Sequence, residues 1–271
     1  MPSKNGDASQ STPPICRSLY LAYALAAGFV DFALLWLYHC GLRRKRGITM
    51  EVRAHWMQRC CTRLARAFHL KVCAHGERPL SGLIASNHLS YLDILAYGAT
   101  LPCVFVSKSE VRGWPIFGQL AQLGGTIFVE RERRSGVGSI AEQMEAVLAA
   151  GLTLVLFPEG TSTDGSLVQR YYPSLLQPAI NSGVAITPSA IGYSAEQAEE
   201  RDLCYYGDIS FAPHLMTVLR RRKIQVKIYF GSPDRSLSNR KVAAHTLREQ
   251  TLLLRGALQN QSASQAAPLF P

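Results

Sequence analysis

The chain has no C-x-x-C pair, no G-x-S-x-G string, and only one hydrophobic run long enough to cross a bilayer. Each absence removes a class of protein. Its seven cysteines (16, 40, 60, 61, 73, 103 and 204) are odd in number and scattered. A zinc ribbon needs closely paired ligands and a disulfide framework needs an even, regular set. Both are therefore disfavoured, and the usage fits a reducing compartment where thiols act as small core hydrophobes. Without G-x-S-x-G there is no tight elbow to present a hydrolase serine. The nearest string, "GTSTD", puts Asp164 where that turn needs glycine. A single long apolar run argues against a polytopic membrane protein. Acidic residues are also scarce, with 19 Asp+Glu against 29 Lys+Arg and a formal net charge of +10. That excess points to an anionic partner: nucleic acid, a phosphate-bearing substrate or an acidic membrane surface. No internal repeat is visible.

What is present divides the 271 residues into a short appendage and one α/β domain. Residues 1–18 open with a polar, proline-containing stretch and are expected to be a disordered leader. The apolar run 19–40 follows, with Asp31 as its only charge. As a helix it extends about 33 Å, close to the roughly 30 Å hydrocarbon core of a bilayer. It is longer than a signal peptide's apolar region and lacks a small-x-small cleavage site at its end. The basic flank "LRRKR" (42–46) favours keeping the following domain cytoplasmic. A buried core helix stays open as an alternative, and Asp31 leaves room for a shallow or re-entrant placement. In residues 51–68, Trp56, Met57, Cys60, Leu64, Ala67 and Phe68 share one helical face, and Arg59, Arg63 and Arg66 share another. Such a helix either lies on anionic headgroups or packs on the domain with a solvated arginine face. Residues 19–70 thus read as an anchor helix plus a basic amphipathic helix.

From residue 71 short apolar runs alternate with helix-like segments. Strands are expected at 71–76, 82–87, 103–108, 125–130, 152–158, 185–193 and 224–231. Helices are expected at 90–99, 113–123, 136–150, 173–182 and 238–258. Several of these strands are apolar almost throughout, which indicates a sheet covered on both faces. The expected fold class is therefore α/β: a mixed, mostly parallel central sheet flanked by helices over 71–258, preceded by an N-terminal membrane-associated helical segment. Residues 259–271 are expected to be a disordered tail.

Three stretches carry candidate chemistry. In "SNHLSYLDIL" (86–95), His88 precedes Asp93 by five positions. Inside one helix such residues diverge by about 140°. They meet only if His88 stays in the strand-to-helix loop while Asp93 turns back from the first helical turns. Asp93 then fixes the imidazole tautomer and stabilises the imidazolium. Spacing alone favours the plainer reading, a helix start capped by Asn87 or Ser90. "FPEGTSTDG" (157–165) follows the strongest apolar strand, where α/β sheets place ligand sites. "GTIFVERERR" (125–134) ends in charges, of which Arg131, Arg133 and Arg134 are suited to clamping phosphate. Lys108, ending "CVFVSK", is a further cation at a strand end. "GVGSIA" lacks the strand-to-helix context of a dinucleotide fingerprint.

In order and spacing, "NHLSYLD", "GTIFVER", "FPEGTSTDG" and "ITPSAIGY" resemble the four blocks of the lysophospholipid and glycerophosphate acyltransferases, over roughly residues 50–231. "VSKSEVRGWPIFG" is similar to the family's segment between its first two blocks. The resemblance implies that His88 acts as general base with Asp93 orienting it, that Lys108 and Arg131 hold an anionic headgroup, and that Glu159, Gly160 and Thr161 shape the acceptor pocket. It implies acyl-CoA or acyl carrier protein as co-substrate, no cofactor or metal, an anionic membrane surface rather than nucleic acid as partner, and a place at the bacterial inner membrane. The implied acceptor is 1-acyl-glycerol-3-phosphate. One departure redirects it: the third block usually runs E-G-T-R-S, and here Ser162 stands in the arginine's place. A lyso-ornithine lipid, or another lyso-lipid without glycerol phosphate, becomes the alternative acceptor. A membrane-bound esterase or thioesterase and a non-catalytic lipid-binding protein are the remaining readings, opposed by the missing serine elbow and by the intact His88–Asp93 pair.

Overall fold

The computed structural model describes residues 14–38, 47–129, 137–221 and 223–266. The basic flank 42–46 and the arginines Arg131, Arg133 and Arg134 lie outside the described residues. All seven expected strands form: β1 (Leu70–His75), β2 (Gly82–Ser86), β3 (Val104–Lys108), β4 (Ile127–Val129), β5 (Thr153–Leu156), β6 (Ile186–Ala195) and β7 (Ile224–Phe230). They make one sheet in the order β1-β7-β6-β2-β5-β3-β4. Every pairing is parallel except that of β6 with β7.

The two-sided apolar pattern explains the layers. Leu83 and Ala85 of β2, with Leu154 and Leu156 of β5, enter the core packed by Met144, Val147, Ala179 and Leu247. Ile84 and Val155, one residue out of phase, enter the opposite core with Trp56, Phe68, Leu92 and Tyr97. Alternation along each strand therefore feeds both faces, and each face is covered by helices. α5 (Val137–Ala149), α6 (Gln177–Asn181) and α8 (Arg240–Ala266) cover one side. α2 (Met50–Ala67), α3 (Leu92–Thr100) and α7 (Phe211–Arg220) cover the other. α4 (Phe117–Leu123) lies between β3 and β4 in sequence.

Two boundaries and one helix differ from expectation. α1 (Pro14–Leu37) starts inside the expected leader, because proline is tolerated in a helix's first turn, where no N–H partner is required. α8 runs through Ala266 into the expected disordered tail, since "NQSASQA" contains no breaker before Pro268. α7 was not anticipated. It is short, and Pro213 suggests a break. However, Pro213 falls in the first turn, and Phe211, His214, Leu215 and Val218 keep helical spacing toward the protein.

The N-terminal helices are held by specific contacts. Within α1, Leu19–Leu37 is long and apolar enough to cross a membrane by length and composition, and only 17% of that span is buried. Leu19, Tyr23, Leu34 and Trp36 are exposed, so α1 is not a buried core helix. Asp31 is paired with Arg63 of α2 at 2.5 Å, and the Trp56 indole N–H donates to the Gly28 carbonyl at 3.0 Å. The apolar face foreseen for α2 is buried throughout, while Arg59 and Arg66 stay exposed. α2 in turn packs closely on α3. A Cβ on Gly98 would meet the Cys61 Sγ at 2.5 Å and its Cβ at 3.0 Å. Gly98→Ala should therefore cost about 1–3 kcal/mol through overpacking. That lowers the thermal midpoint in detergent by about 2–4 °C per kcal/mol, and adding Cys61→Ala should restore part of the loss.

Candidate active site

The site forms where the carboxyl ends of β2, β5 and β3 meet. β2 is buried along its length and ends at Ser86, where the ladder to β6 also ends at Ser189. Asn87 continues the pairing with its side chain: its amide N–H donates to the Ile191 carbonyl at 3.1 Å, and its carbonyl accepts the Ile191 N–H at 2.9 Å. Asn87 is therefore a strand clamp rather than a helix cap. His88 follows it in the loop, and Asp93 lies in the first turn of α3.

His88 Nδ1 donates to Asp93 Oδ2 at 2.6 Å. The same oxygen accepts the backbone N–H groups of Leu89 (2.7 Å) and Ser90 (3.1 Å), and the Tyr193 hydroxyl donates to Oδ1. Asp93 is fully buried. The His88 ring stacks on Phe157 at 4.2 Å between centroids and 16° between planes. Bonding at Nδ1 sets the tautomer and leaves Nε2 as the nitrogen available to a substrate. Five-residue spacing thus yields the arrangement in which His88 has not yet entered the helix.

The loop after β5 is knitted to the His88 loop. Thr163 N–H donates to the His88 carbonyl at 2.9 Å, and Tyr205 N–H to the Leu89 carbonyl at 2.8 Å. Gly160 turns the chain at φ +68°, where a side chain would be strained. Glu159 accepts the His88 N–H at 2.7 Å on one oxygen and the Gln169 N–H at 2.8 Å on the other. It is 2% exposed, and burial pushes its carboxyl up to about 7 against the two N–H donors.

A cavity of about 560 Å³ opens beside His88. Lys108, Gly160, Thr161 and Ser162 line it with Tyr91, Trp114 and Tyr205, and Ile94, Val106, Met144 and Leu156 make an apolar side. A smaller apolar space shares Tyr91, Ile94, Val111 and Trp114 with it and reaches Met57, Cys60 and Leu64 of α2. Of the residues placed at the acceptor pocket from sequence, Lys108, Gly160 and Thr161 reach the cavity. Glu159 does not, because both its oxygens are spent on backbone behind the wall. Arg131 lies outside the described residues. Sequence reasoning missed Tyr193 and Tyr205. Tyr193 ends the quoted string "ITPSAIGY", and its position two residues past Ile191 on the same strand was the available signal.

Ser162 and four buried cysteines are held in unreactive states. Ser162 gives its proton to the Tyr205 carbonyl. Burial pushes Cys60 up to about 11 and raises Cys61, Cys103 and Cys204 as well, so these thiols stay protonated. What the geometry supports is general-base activation of a bound nucleophile next to a histidine-aspartate pair.

This fold and site define an acyltransferase. A sequence model of the Acyltransferase family matches residues 70–192, and the chain belongs to that family. It is 33% identical to the lyso-ornithine lipid O-acyltransferase of Rhizobium meliloti (strain 1021), over 93% of this chain and 89% of that one. Identity to the Pseudomonas aeruginosa protein of the same name is 32%, over 78% and 81%. The 1-acyl-sn-glycerol-3-phosphate acyltransferase of Neisseria gonorrhoeae is 30% identical over 57% of this chain and 60% of that one. The crystal structure of the 1-acyl-sn-glycerophosphate acyltransferase PlsC from Thermotoga maritima has the same fold, with a TM-score of 0.64 at 18% identity over 92% and 96% of the two chains.

The placement of Glu159 makes a pH test. Its folded-state carboxyl holds a proton up to about 7 against an ordinary 4.5. The stability it contributes is complete below about 4.5 and is lost as pH rises through about 7. Glu159→Gln should flatten the decline of thermal midpoint across that window. It should also lose about 1–3 kcal/mol, because one backbone N–H is left without an acceptor. Parallel declines in the two proteins would exclude Glu159 as the titrating group.

Proposed function

We propose that this protein transfers a fatty acyl group from a thioester, acyl-CoA or acyl carrier protein, to the hydroxyl of a lyso-lipid, with lyso-ornithine lipid as acceptor. The observation that carries the acceptor is Ser162. It sits on the cavity wall where the family pattern has an arginine, and its hydroxyl is bound to the Tyr205 carbonyl. The wall at this position offers no cation to a phosphate. The two lyso-ornithine lipid O-acyltransferases described above, which align with 93% and 78% of this chain, support the same reading. Lys108 on the cavity wall favours the second reading, 1-acyl-glycerol-3-phosphate, by supplying one positive charge. Arg131 would add another.

The acceptor hydroxyl attacks the thioester carbonyl while His88 Nε2 takes its proton. The tetrahedral adduct collapses, the C–S bond breaks, and the thiolate leaves with the proton that His88 returns. Asp93 holds the ring through Nδ1 and stabilises the imidazolium between these steps. No acyl-enzyme is required, which suits a site where the Ser162 hydroxyl is already engaged. The acyl chains have an apolar place in the cavity's Ile94, Val106, Met144 and Leu156 side and in the space reaching α2. α1, with its exposed apolar surface, and the exposed Arg59 and Arg66 of α2 fit attachment to an anionic membrane. The basic flank 42–46 favours a cytoplasmic domain at a bacterial inner membrane.

Membranes containing the protein, given labelled acyl thioester and separate lyso-lipids, test this directly. Lyso-ornithine lipid should be acylated in preference to 1-acyl-glycerol-3-phosphate, and His88→Ala should lower turnover about 10²–10⁴-fold. Ser162→Arg should shift preference toward the phosphate acceptor. Free fatty acid as the sole product with every acceptor would indicate an esterase instead.

A further inference from the structure

We propose that Tyr193 is a positioning residue for acyl transfer: its hydroxyl ties Asp93 to the sheet, and an ion pair between buried Arg255 and half-buried Glu200 fixes Tyr193 in turn. The inference rests on the His88–Asp93 reading above. Asp93 Oδ2 collects three donors, from His88, Leu89 and Ser90, all within the loop that precedes its own helix. These contacts tie the carboxylate to its neighbours in sequence but not to the rest of the domain. The contact on Oδ1 comes from β6, a hundred residues further along the chain. It stops the carboxylate turning about its last bond, a torsion with only a broad intrinsic preference. It also makes the ring orientation of His88 depend on the sheet rather than on the loop. Burial raises the Tyr193 hydroxyl well above its ordinary range, so it stays protonated and serves as donor.

Tyr193 is itself held on the side away from His88. Its backbone N–H donates to Glu200 Oε1 at 2.8 Å. Glu200 is gripped in two-pronged fashion by Arg255 of α8, at 2.9 and 2.8 Å. Arg255 is 5% exposed and donates further to the carbonyls of Ile191 (2.9 Å) and Gly165 (2.7 Å). Two glycines leave room for the pair. A Cβ on Gly192 would meet Arg255 Nη1 at 2.9 Å, and one on Gly165 would meet Glu200 Oε2 at 2.9 Å. One buried arginine thus joins the strand bearing Tyr193 to the loop after β5, and the rigid Tyr193 side chain carries that anchorage on to Asp93 and the imidazole.

The test uses the full chain in membranes. Tyr193→Phe keeps the ring and removes the donor. Turnover should fall about tenfold, with KM for acceptor and for thioester within about twofold of wild type. In an Asp93→Asn background the same change should cost nothing more, because Tyr193 acts through Asp93. If the phenylalanine variant fails to accumulate, 3-fluorotyrosine at position 193 alters donor strength at nearly constant volume, and turnover must respond. Unchanged turnover in either variant, while His88→Ala is inactive, overturns the role of Tyr193 and leaves the histidine mechanism standing. A raised KM at constant turnover also overturns it, by placing Tyr193 in the pocket. Activity surviving in His88→Ala sinks the underlying mechanism itself.

Discussion

A carboxylate with no exposed surface governs this site. Water cannot solvate Asp93, so the protein must supply the donors itself, or the charge costs several kcal/mol. It receives them from its own loop, from the histidine and from a strand across the sheet. Asp93 also stands in the first turn of α3, the end of a helix where a negative charge is favoured. Each donor has a structural consequence. The loop 88–90 must curl back over Asp93, which keeps His88 out of the helix and aims its ring along Phe157. The β6 strand must run past its partner β2 as far as Tyr193, and the Asn87 amide fills the gap in the ladder that this overrun creates. The geometry of the imidazole follows from satisfying a buried charge.

The same edge of the sheet links chemistry to the N-terminal helices. α2 is the intermediary. Its apolar face lines the smaller space that shares wall residues with the cavity, and its other contacts hold α1 through Arg63–Asp31 and Trp56–Gly28. The lone charge in the apolar run therefore has a structural use: it is neutralised by an arginine from the next helix. A helix whose exposed surface is apolar is attached, through one packed helix, to the apolar side of the reaction chamber. A lipid-like substrate is favoured by apolar surroundings close to the site, because each methylene brought into water costs about 0.8 kcal/mol.

Most of the fold was legible because its strands obey simple physics. Both-sided burial wrote continuous apolar runs such as "GLIAS" and "LTLVLF" for the central strands, while β7 alternates as a half-buried strand does, and all seven strands lie where such patterns lie. The helix α7 was hidden because ten residues with a proline carry little periodic signal, and its partners Tyr91 and Trp114 are remote in sequence. His88 and Asp93 were legible as a local pair whose meeting depends on a loop. Tyr193 and Arg255 were not, since their value comes from contacts a hundred and sixty-four residues away, respectively, with Asp93 and Ile191. Glu159 shows the limit of motif transfer. The carboxylate stands where the pattern places it, but its chemistry is decided by which groups need an acceptor, and two backbone N–H groups take both oxygens.

Ser162 brings these threads together at the acceptor. In this family's pattern an arginine at that position would project a permanent charge into the cavity. Here the short hydroxyl turns instead to the Tyr205 carbonyl, and Tyr205 N–H is bonded to Leu89, next to the histidine. The substitution therefore does more than delete a cation: the position becomes part of the framework that closes the His88 loop. An acceptor bound here meets hydroxyls, backbone and aromatic rings from this wall, with Lys108 the described cation on the opposite strand end. A doubly charged phosphate loses a bidentate partner in such a wall, whereas a zwitterionic amino-acid headgroup brings less net negative charge to be neutralised. Selectivity between two lipids with the same reactive hydroxyl chemistry can thus reside in one residue that never touches the proton in flight.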